Sequence, residues 1–118
     1  MSTPAFDIFI IGVGGQGIGL LSEVLVRAAD HAGLPVKAVE THGLAQRGGT
    51  VAAHVRLGDA ARSPLVSEHS AHLVAALERH EALRGLESML RSGGTLAFYD
   101  TVLQPLTVRL GEEPEVSL

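Results

Sequence analysis

Apolar residues along the chain fall into short runs that alternate with stretches of helical spacing. The run Phe6–Ile11 is rich in β-branched and aromatic side chains and is bounded by Gly12, which predicts a central strand covered on both faces. Helical spacing then continues until Gly33 and Pro35, which are typical of a helix end. The apolar positions of this predicted helix are Ile18, Leu21, Leu25, Ala28, Ala29 and Ala32. A second short strand is predicted over Val36–Glu40.

The same alternation continues in the second half of the chain. Apolar and polar positions alternate over Val51–Leu57, which predicts a half-covered strand near a sheet edge. The apolar run His72–Leu77 is a further candidate for a buried strand. A helix is predicted to begin near Arg79 and to end at Ser92–Gly94, before a strand over Thr95–Tyr99.

Strands that alternate with helices predict an α/β fold, here a Rossmann-like three-layer sandwich with a mainly parallel sheet and right-handed crossovers. In such folds the ligand crevice lies outside the carboxyl ends of the strands. Three segments follow predicted strands: Gly12–Gly17, Thr41–Gly49 and Glu78. We expect them to border the ligand site.

The glycine-rich turn Gly12–Gly17 has the spacing G-x-G-x-x-G and stands between a predicted strand and a predicted helix. Glycines there allow a tight turn and let backbone N–H groups approach a phosphate at the positive helix N-terminus. An anion is therefore the expected ligand. Two alternatives stay open. The glycines could serve only a tight connection, or Glu40 could hold the ribose of a nicotinamide or flavin adenine nucleotide.

The loop after the second strand carries an imidazole, an amide and a guanidinium, from His42, Gln46 and Arg47. A guanidinium is suited to bidentate contact with phosphate or carboxylate. The same loop could instead be structural, with Arg47 paired to Glu40 and His42 bonded to the backbone. Spacing alone does not decide between these interpretations.

Composition narrows the classes of function. The chain has 118 residues, enough for one domain, a net charge of -4 and no run of basic residues, which argues against a nucleic-acid ligand. It has no cysteine, so any iron–sulfur cluster or thiolate zinc site must lie on another chain. The apolar fraction of 46% suggests that some surface meets a partner. Neither a signal peptide nor a membrane span is expected, and we predict a cytoplasmic protein.

Two motifs taken together resemble one family. The turn Gly12–Gly17, the loop Glu40–Gly49 and the segment Val55–Gly58 are similar to the gamma-type subunits of 2-oxoacid:ferredoxin oxidoreductases, the indolepyruvate-type enzymes in particular. The resemblance runs from about Phe6 to Tyr99. Two motifs in the right order are far more specific than one glycine fingerprint. Members of that family usually continue further, so the resemblance implies a single gamma-type domain, over residues 1–118, that is incomplete at its C-terminal side.

The resemblance implies a subunit of an enzyme that decarboxylates a 2-oxoacid oxidatively to an acyl-CoA and passes electrons to ferredoxin. Thiamine diphosphate, magnesium and the iron–sulfur clusters would be held by a catalytic thiamine-binding subunit and a ferredoxin-type subunit. This chain would contact coenzyme A or a partner surface through its two motifs. His42 is a weak candidate for proton transfer. The predicted cofactor-binding residues are Gly12, Gly14, Gly15, Gln16, Gly17, Thr41, Gln46, Arg47 and Gly48. The rival hypothesis is a stand-alone NAD- or flavin-nucleotide-binding or regulatory module.

Other polar residues are assigned structural roles. The pair His69 and His72 has no cysteine nearby and is attributed to the entry of a strand rather than to a metal. The charged positions that begin the second helix are predicted to form its solvated face. These are Glu78, Arg79, His80, Glu81, Arg84 and Glu87. No serine stands in a nucleophile-elbow context, so a hydrolase is not supported.

Overall fold

A computed structural model of the chain describes residues 4–42 and 49–102. The described residues form five strands and two helices, each near a position that the sequence predicts. In chain order they are β1 (Phe6–Val13), α1 (Ile18–His31), β2 (Val36–His42), β3 (Thr50–Leu57), β4 (Ala71–Ala76), α2 (Arg79–Ser88) and β5 (Leu90–Phe98).

The strands form one sheet in the order β2-β3-β1-β4-β5. β4 runs parallel to both β1 and β5, whereas β3 runs antiparallel to both β1 and β2. β1, β2, β4 and β5 therefore point the same way, and the predicted mainly parallel α/β sheet is confirmed with β3 as its exception.

The position of β3 corrects one expectation. This strand lies inside the sheet rather than near its edge, and Val51 to Val55 are all buried. Its apparently polar face is covered because small Ala52 packs in the core and the His54 ring is buried against Phe9, with 5.1 Å between ring centroids. An alternation that includes alanine and histidine thus does not require one face to be solvated.

The two helices lie on opposite faces of the sheet, as the three-layer prediction requires. Ile18 of α1 packs with Ile8 and Ile10 in one apolar cluster, and Ala82 of α2 packs with Phe9 and Ile11 in another. The connection through α1 leads from β1 toward one edge of the sheet, and the connection through α2 leads from β4 toward the other. The carboxyl ends of β1 and β4 therefore flank a topological switch point, where α/β folds bind ligands.

The two helix ends differ in how well glycine predicts them. Helix α1 ends as expected, with Gly33 at φ 76° and Leu34 donating to the carbonyl of Ala29. Helix α2 ends earlier than predicted, and Gly93 and Gly94 lie within β5 at a register irregularity. A Cβ on Gly94 would lie 3.0 Å from the Ala71 carbonyl oxygen. This glycine therefore serves close strand contact rather than helix termination.

Among the described residues, no helix combines the length and the apolar character that crossing a membrane would need.

Candidate functional site

The glycine turn lies at the carboxyl end of β1, at the switch point of the sheet. Its backbone is held by two hydrogen bonds: Gly14 N donates to the Gly49 carbonyl at 2.8 Å, and Gln16 N donates to the Val13 carbonyl at 3.1 Å. The first bond joins the turn to the residue that leads into β3. The turn and the end of the following loop are therefore neighbours in space, as the sequence predicts.

Glycine is needed at the positions of the turn for different structural reasons. Gly15 and Gly17 have φ values of 95° and 89°, and a Cβ on either would meet no atom within 4 Å. Glycine is required there by backbone conformation, and the space beside it is open. A Cβ on Gly12 would instead lie 2.8 Å from Ile18 Cδ1 and 2.9 Å from Gln16 Oε1. Gly12 therefore allows close packing of β1 and α1, and Gly15 and Gly17 leave room for a ligand.

A cleft with a volume of 340 Å³ opens beside the turn. Gly17 caps α1 with left-handed backbone and provides no capping side chain, and the first turn of the helix carries no acidic residue. The N–H groups and the positive end of the helix dipole are thus available to an anion. The cleft is lined by Gly14, Gly15, Gly17, Ile18, Gly19, Glu40 and Val51.

One carboxylate also borders this cleft. Glu40 of β2 lies against the first turn of α1, where a Cβ on Gly19 would come within 2.8 Å of Glu40 Oε1. Because like charges repel, an anion is favoured at the Gly15–Gly17 end of the cleft rather than beside Glu40. Thr41, the next residue of β2, is exposed.

The Gln16 side chain is turned toward the protein. Its Oε1 accepts from Val13 N at 2.8 Å, and its Nε2 donates to the Leu77 carbonyl at the end of β4. Both ends of the amide are thus engaged by the protein's own backbone. Gln16, predicted to bind a cofactor, positions the turn in this structure.

Part of the predicted site lies outside the described residues. Gln46, Arg47 and Gly48 fall between residues 42 and 49, and of His42 the structure describes only the backbone at the end of β2. Their predicted roles stay predictions. Gly49 and Thr50 show where that loop rejoins the sheet, directly beside the glycine turn.

The N-terminus of α2 corrects part of the predicted solvated face: Arg84 and Glu87 are exposed as predicted, but three of the six positions are buried. Glu78 and Glu81 have 0% exposure and His80 has 5%. Glu78 caps the helix, with Oε1 accepting from Glu81 N at 2.8 Å, and its Oε2 lies 2.9 Å from His80 Nδ1. Glu81 Oε1 accepts from Thr50 Oγ1 at 3.0 Å. Charge alone does not imply exposure, and the E-x-x-E spacing that begins at Glu78 is the local sequence signal of a helix cap.

The buried Glu81 carboxyl is electrostatically unusual. Its Oε2 has no hydrogen-bond partner among the described residues, and the nearest cation, Arg84 Nε, lies 3.4 Å away. Burial raises the pKa of Glu81, and the neighbouring Glu78 raises it further, whereas Arg84, Thr50 and His80 oppose the rise. A carboxyl of raised pKa therefore stands next to the ligand crevice.

His72 lies at the amino end of β4, on the opposite side of the sheet from the strand ends that carry the glycine turn, and it has a structural partner. Its Nδ1 accepts from Asp7 N at 2.9 Å, and its ring stacks on Phe6 with 4.9 Å between centroids. A larger cavity of 490 Å³ adjoins these rings, but it lies at the amino ends of β1 and β4. Because α/β folds bind ligands at the carboxyl ends, the glycine cleft is the stronger candidate site.

Comparison with known proteins identifies the family of the chain. A family model described as pyruvate ferredoxin/flavodoxin oxidoreductase matches residues 7–117. A relative from Archaeoglobus fulgidus, indolepyruvate oxidoreductase subunit IorB, is 54% identical over 78 residues, which cover 66% of this chain and 38% of the relative. The chain thus spans well under two thirds of that relative's length.

Two solved structures share the fold. Pyruvate oxidoreductase subunit PORC from Thermotoga maritima is 26% identical with a TM-score of 0.66, and the match covers 81% of this chain and 50% of that one. The 2-oxoglutarate:ferredoxin oxidoreductase from Magnetococcus marinus, with 2-oxoglutarate, coenzyme A and succinyl-CoA bound, is 21% identical with a TM-score of 0.57. That match covers 72% of this chain and 14% of the other.

Proposed function

The chain belongs to the pyruvate ferredoxin/flavodoxin oxidoreductase family, and from this membership we propose that it is a subunit of a thiamine diphosphate-dependent 2-oxoacid:ferredoxin oxidoreductase of the indolepyruvate or pyruvate type. In the proposed reaction a 2-oxoacid, coenzyme A and two oxidised ferredoxins give an acyl-CoA, carbon dioxide, a proton and two reduced ferredoxins. We expect this complex to be cytoplasmic.

The proposal divides the chemistry among subunits. Thiamine diphosphate with magnesium supplies decarboxylation, and iron–sulfur clusters carry the two electrons, both on partner subunits. This chain has no cysteine with which to ligate a cluster, which supports that division. Its own contribution is to bind and orient, through the glycine cleft and its apolar surface.

The observation that carries the proposal is the open glycine cleft at the uncapped N-terminus of α1. Gly15 and Gly17 expose backbone to a space that an anion can enter, and coenzyme A carries phosphates on a long flexible arm. We therefore assign its phosphates to the Gly15–Gly17 end of the cleft, away from Glu40. The Magnetococcus enzyme, which shares the fold, has coenzyme A bound, and this supports coenzyme A as the proposed ligand.

The surface next to the cleft suits a partner subunit. Leu20 and Val24 lie one helical turn apart on α1 and have 67% and 53% exposure. We propose that this stripe packs against the catalytic subunit. Thr41, Gln46, Arg47 and Gly48 would face the same interface or the coenzyme.

A stand-alone NAD- or flavin-nucleotide-binding module is the rival, and one observation favours it: Glu40 lines the same cleft as the glycines. The strand order weighs against it. In dinucleotide-binding domains the strand that carries the acidic residue is next to the glycine strand, whereas β3 separates β2 from β1 here. This places β2 about 10 Å from β1 instead of about 5 Å.

A pair of variants at one position tests the coenzyme A proposal. Gly15→Asp and Gly15→Asn place side chains of nearly equal size at the same backbone position with positive φ. The two side chains differ in charge. A carboxylate about 5 Å from a phosphate, at an effective dielectric constant of about 40, costs about 1.7 kcal/mol, which is somewhat more than tenfold in affinity. Isothermal titration of the assembled complex with coenzyme A should show that loss for Gly15→Asp relative to Gly15→Asn.

Equal coenzyme A affinities of the two variants would contradict the proposal. A lone full-length chain that binds NAD, and that loses this binding on Glu40→Gln, would support the rival module instead.

A further inference from the structure

The glycine turn is attached to the N-terminus of α2 along two separate routes. On one side, Gln16 links Val13 N to the Leu77 carbonyl, and Leu77 immediately precedes the helix cap Glu78. On the other side, Gly14 donates to the Gly49 carbonyl, and the neighbouring Thr50 donates to Glu81. The two routes meet at the bond between Glu78 Oε1 and Glu81 N.

These contacts form a closed ring that joins β1, β3, β4 and α2. Apart from Leu77, whose side chain packs against one apolar cluster, the ring lies outside the two clusters, and two of its members are carboxyls with 0% exposure. Burying a carboxyl is unfavourable unless its partners compensate, and Glu81 Oε2 has no hydrogen bond among the residues described. Apolar side chains at these positions would fill the same space without that cost. Stability alone therefore gives a weak reason for such a ring.

We propose that Thr50 and Glu81 are positioning residues for the glycine cleft: their hydrogen bond holds the Gly49 carbonyl in place, and that carbonyl orients Gly14 and the turn that follows it. Gln16 supports the turn from the other side. The cleft is then preorganised for its anion by a carboxyl that does not itself touch the ligand. This inference rests on the proposed function for the identity of the ligand, coenzyme A, but the ring can be tested without it.

The first test measures the turn directly. Thr50→Val removes the hydroxyl at almost constant shape, whereas Thr50→Ser keeps it. Hydrogen exchange of the Gly14 amide in the full-length protein should become up to about tenfold faster in Thr50→Val and should return toward the original rate in Thr50→Ser, because the net contribution of one hydrogen bond reaches about that factor. Val55→Ala is the matched control, since it creates a cavity in the same strand away from the turn.

The second test measures positioning in the assembled complex. Thr50→Val should raise KM for coenzyme A severalfold and leave KM for the 2-oxoacid unchanged, and Thr50→Ser should restore the original value. Val55→Ala should change neither KM.

The outcomes separate this inference from the proposed function. Gly14 exchange that is equally fast in Thr50→Val and Val55→Ala would overturn the ring. Faster exchange with an unchanged KM for coenzyme A would overturn the positioning role if Gly15→Asp still weakens coenzyme A binding. If Gly15→Asp has no effect on coenzyme A binding either, the proposed ligand is wrong. Faster Gly14 exchange in Thr50→Val would then still support the inference that the ring holds the turn in place.

Discussion

Gly12 and Gly19 form a natural pair for testing how the glycine turn is packed. A Cβ added at either residue would lie 2.8 Å from its nearest neighbour, which is Ile18 Cδ1 for Gly12 and Glu40 Oε1 for Gly19. The neighbours differ in kind. Ile18 has 3% exposure and is enclosed by the core, whereas the Glu40 oxygen is the end of a long side chain at an open cleft.

The expected magnitudes follow from these surroundings. Carbon atoms in contact prefer about 3.5–4.0 Å, so Gly12→Ala overlaps Ile18 by about 0.7 Å or more. Overpacking of this kind costs roughly 1–3 kcal/mol, and displacing Gln16 Oε1 from Val13 N adds about 1 kcal/mol. Lower chain entropy in the unfolded state returns roughly 0.5–1 kcal/mol. The net loss is about 1–3.5 kcal/mol. Gly19→Ala should instead be neutral or stabilise by up to about 1 kcal/mol, because alanine is the better helix former.

Thermal and urea unfolding of the two variants, followed by circular dichroism, measures the difference. At roughly 4 °C per kcal/mol for a domain of this size, Gly12→Ala should lower Tm by about 4–14 °C and Gly19→Ala should leave it equal or slightly higher. If the two alanines shift Tm equally, the contrast between a fixed and a movable neighbour is wrong. A neutral Gly12→Ala would mean that the turn does not pack closely against α1.

Two pH-dependent predictions concern the buried titratable groups. The pKa of Glu81 is raised in the folded protein, so the folded state holds its proton longer than the unfolded state, and stability falls as pH rises from the ordinary glutamate pKa to the raised one. Urea unfolding of Glu81→Gln across that range should show a shallower fall than the original protein, and parallel curves would contradict the assignment. Burial lowers the pKa of His54, whose Nδ1 accepts from Val66 N, so its contribution to stability is lost as pH falls from the ordinary histidine pKa to the lowered one. An NMR titration should place the midpoint of His54 below the ordinary histidine pKa of about 6.5, and a midpoint at or above that value would refute this.

Strands and helices could be predicted from the sequence where local sequence patterns determine them. The β-branched run before Gly12 and the apolar spacing up to Gly33 locate β1 and α1 because both depend on neighbours in sequence. The glycine turn was recognisable for the same reason, since Gly15 and Gly17 are required by their own backbone conformation.

The contacts that complete the site were not predictable in this way. Thr50 and Glu81 are 31 residues apart and meet only because β3 lies beside β1 in the sheet. No local sequence pattern indicates that β3 lies between β1 and β2 in the sheet. Without that neighbour, Glu78 and Glu81 resemble ordinary surface charges, and Gln16 resembles a residue free to bind a ligand.

The strand order also has a consequence for how the protein assembles during synthesis. β2 and β3 are consecutive in the chain and antiparallel, so they can pair early at little cost in chain entropy. β1 leaves the ribosome first, yet both of its partners, β3 and β4, come later. The acceptor for Gln16 is Leu77, just beyond β4. The nascent glycine turn therefore stays unsupported until most of the sheet has been made, and the ligand cleft is among the last parts of the described structure to form.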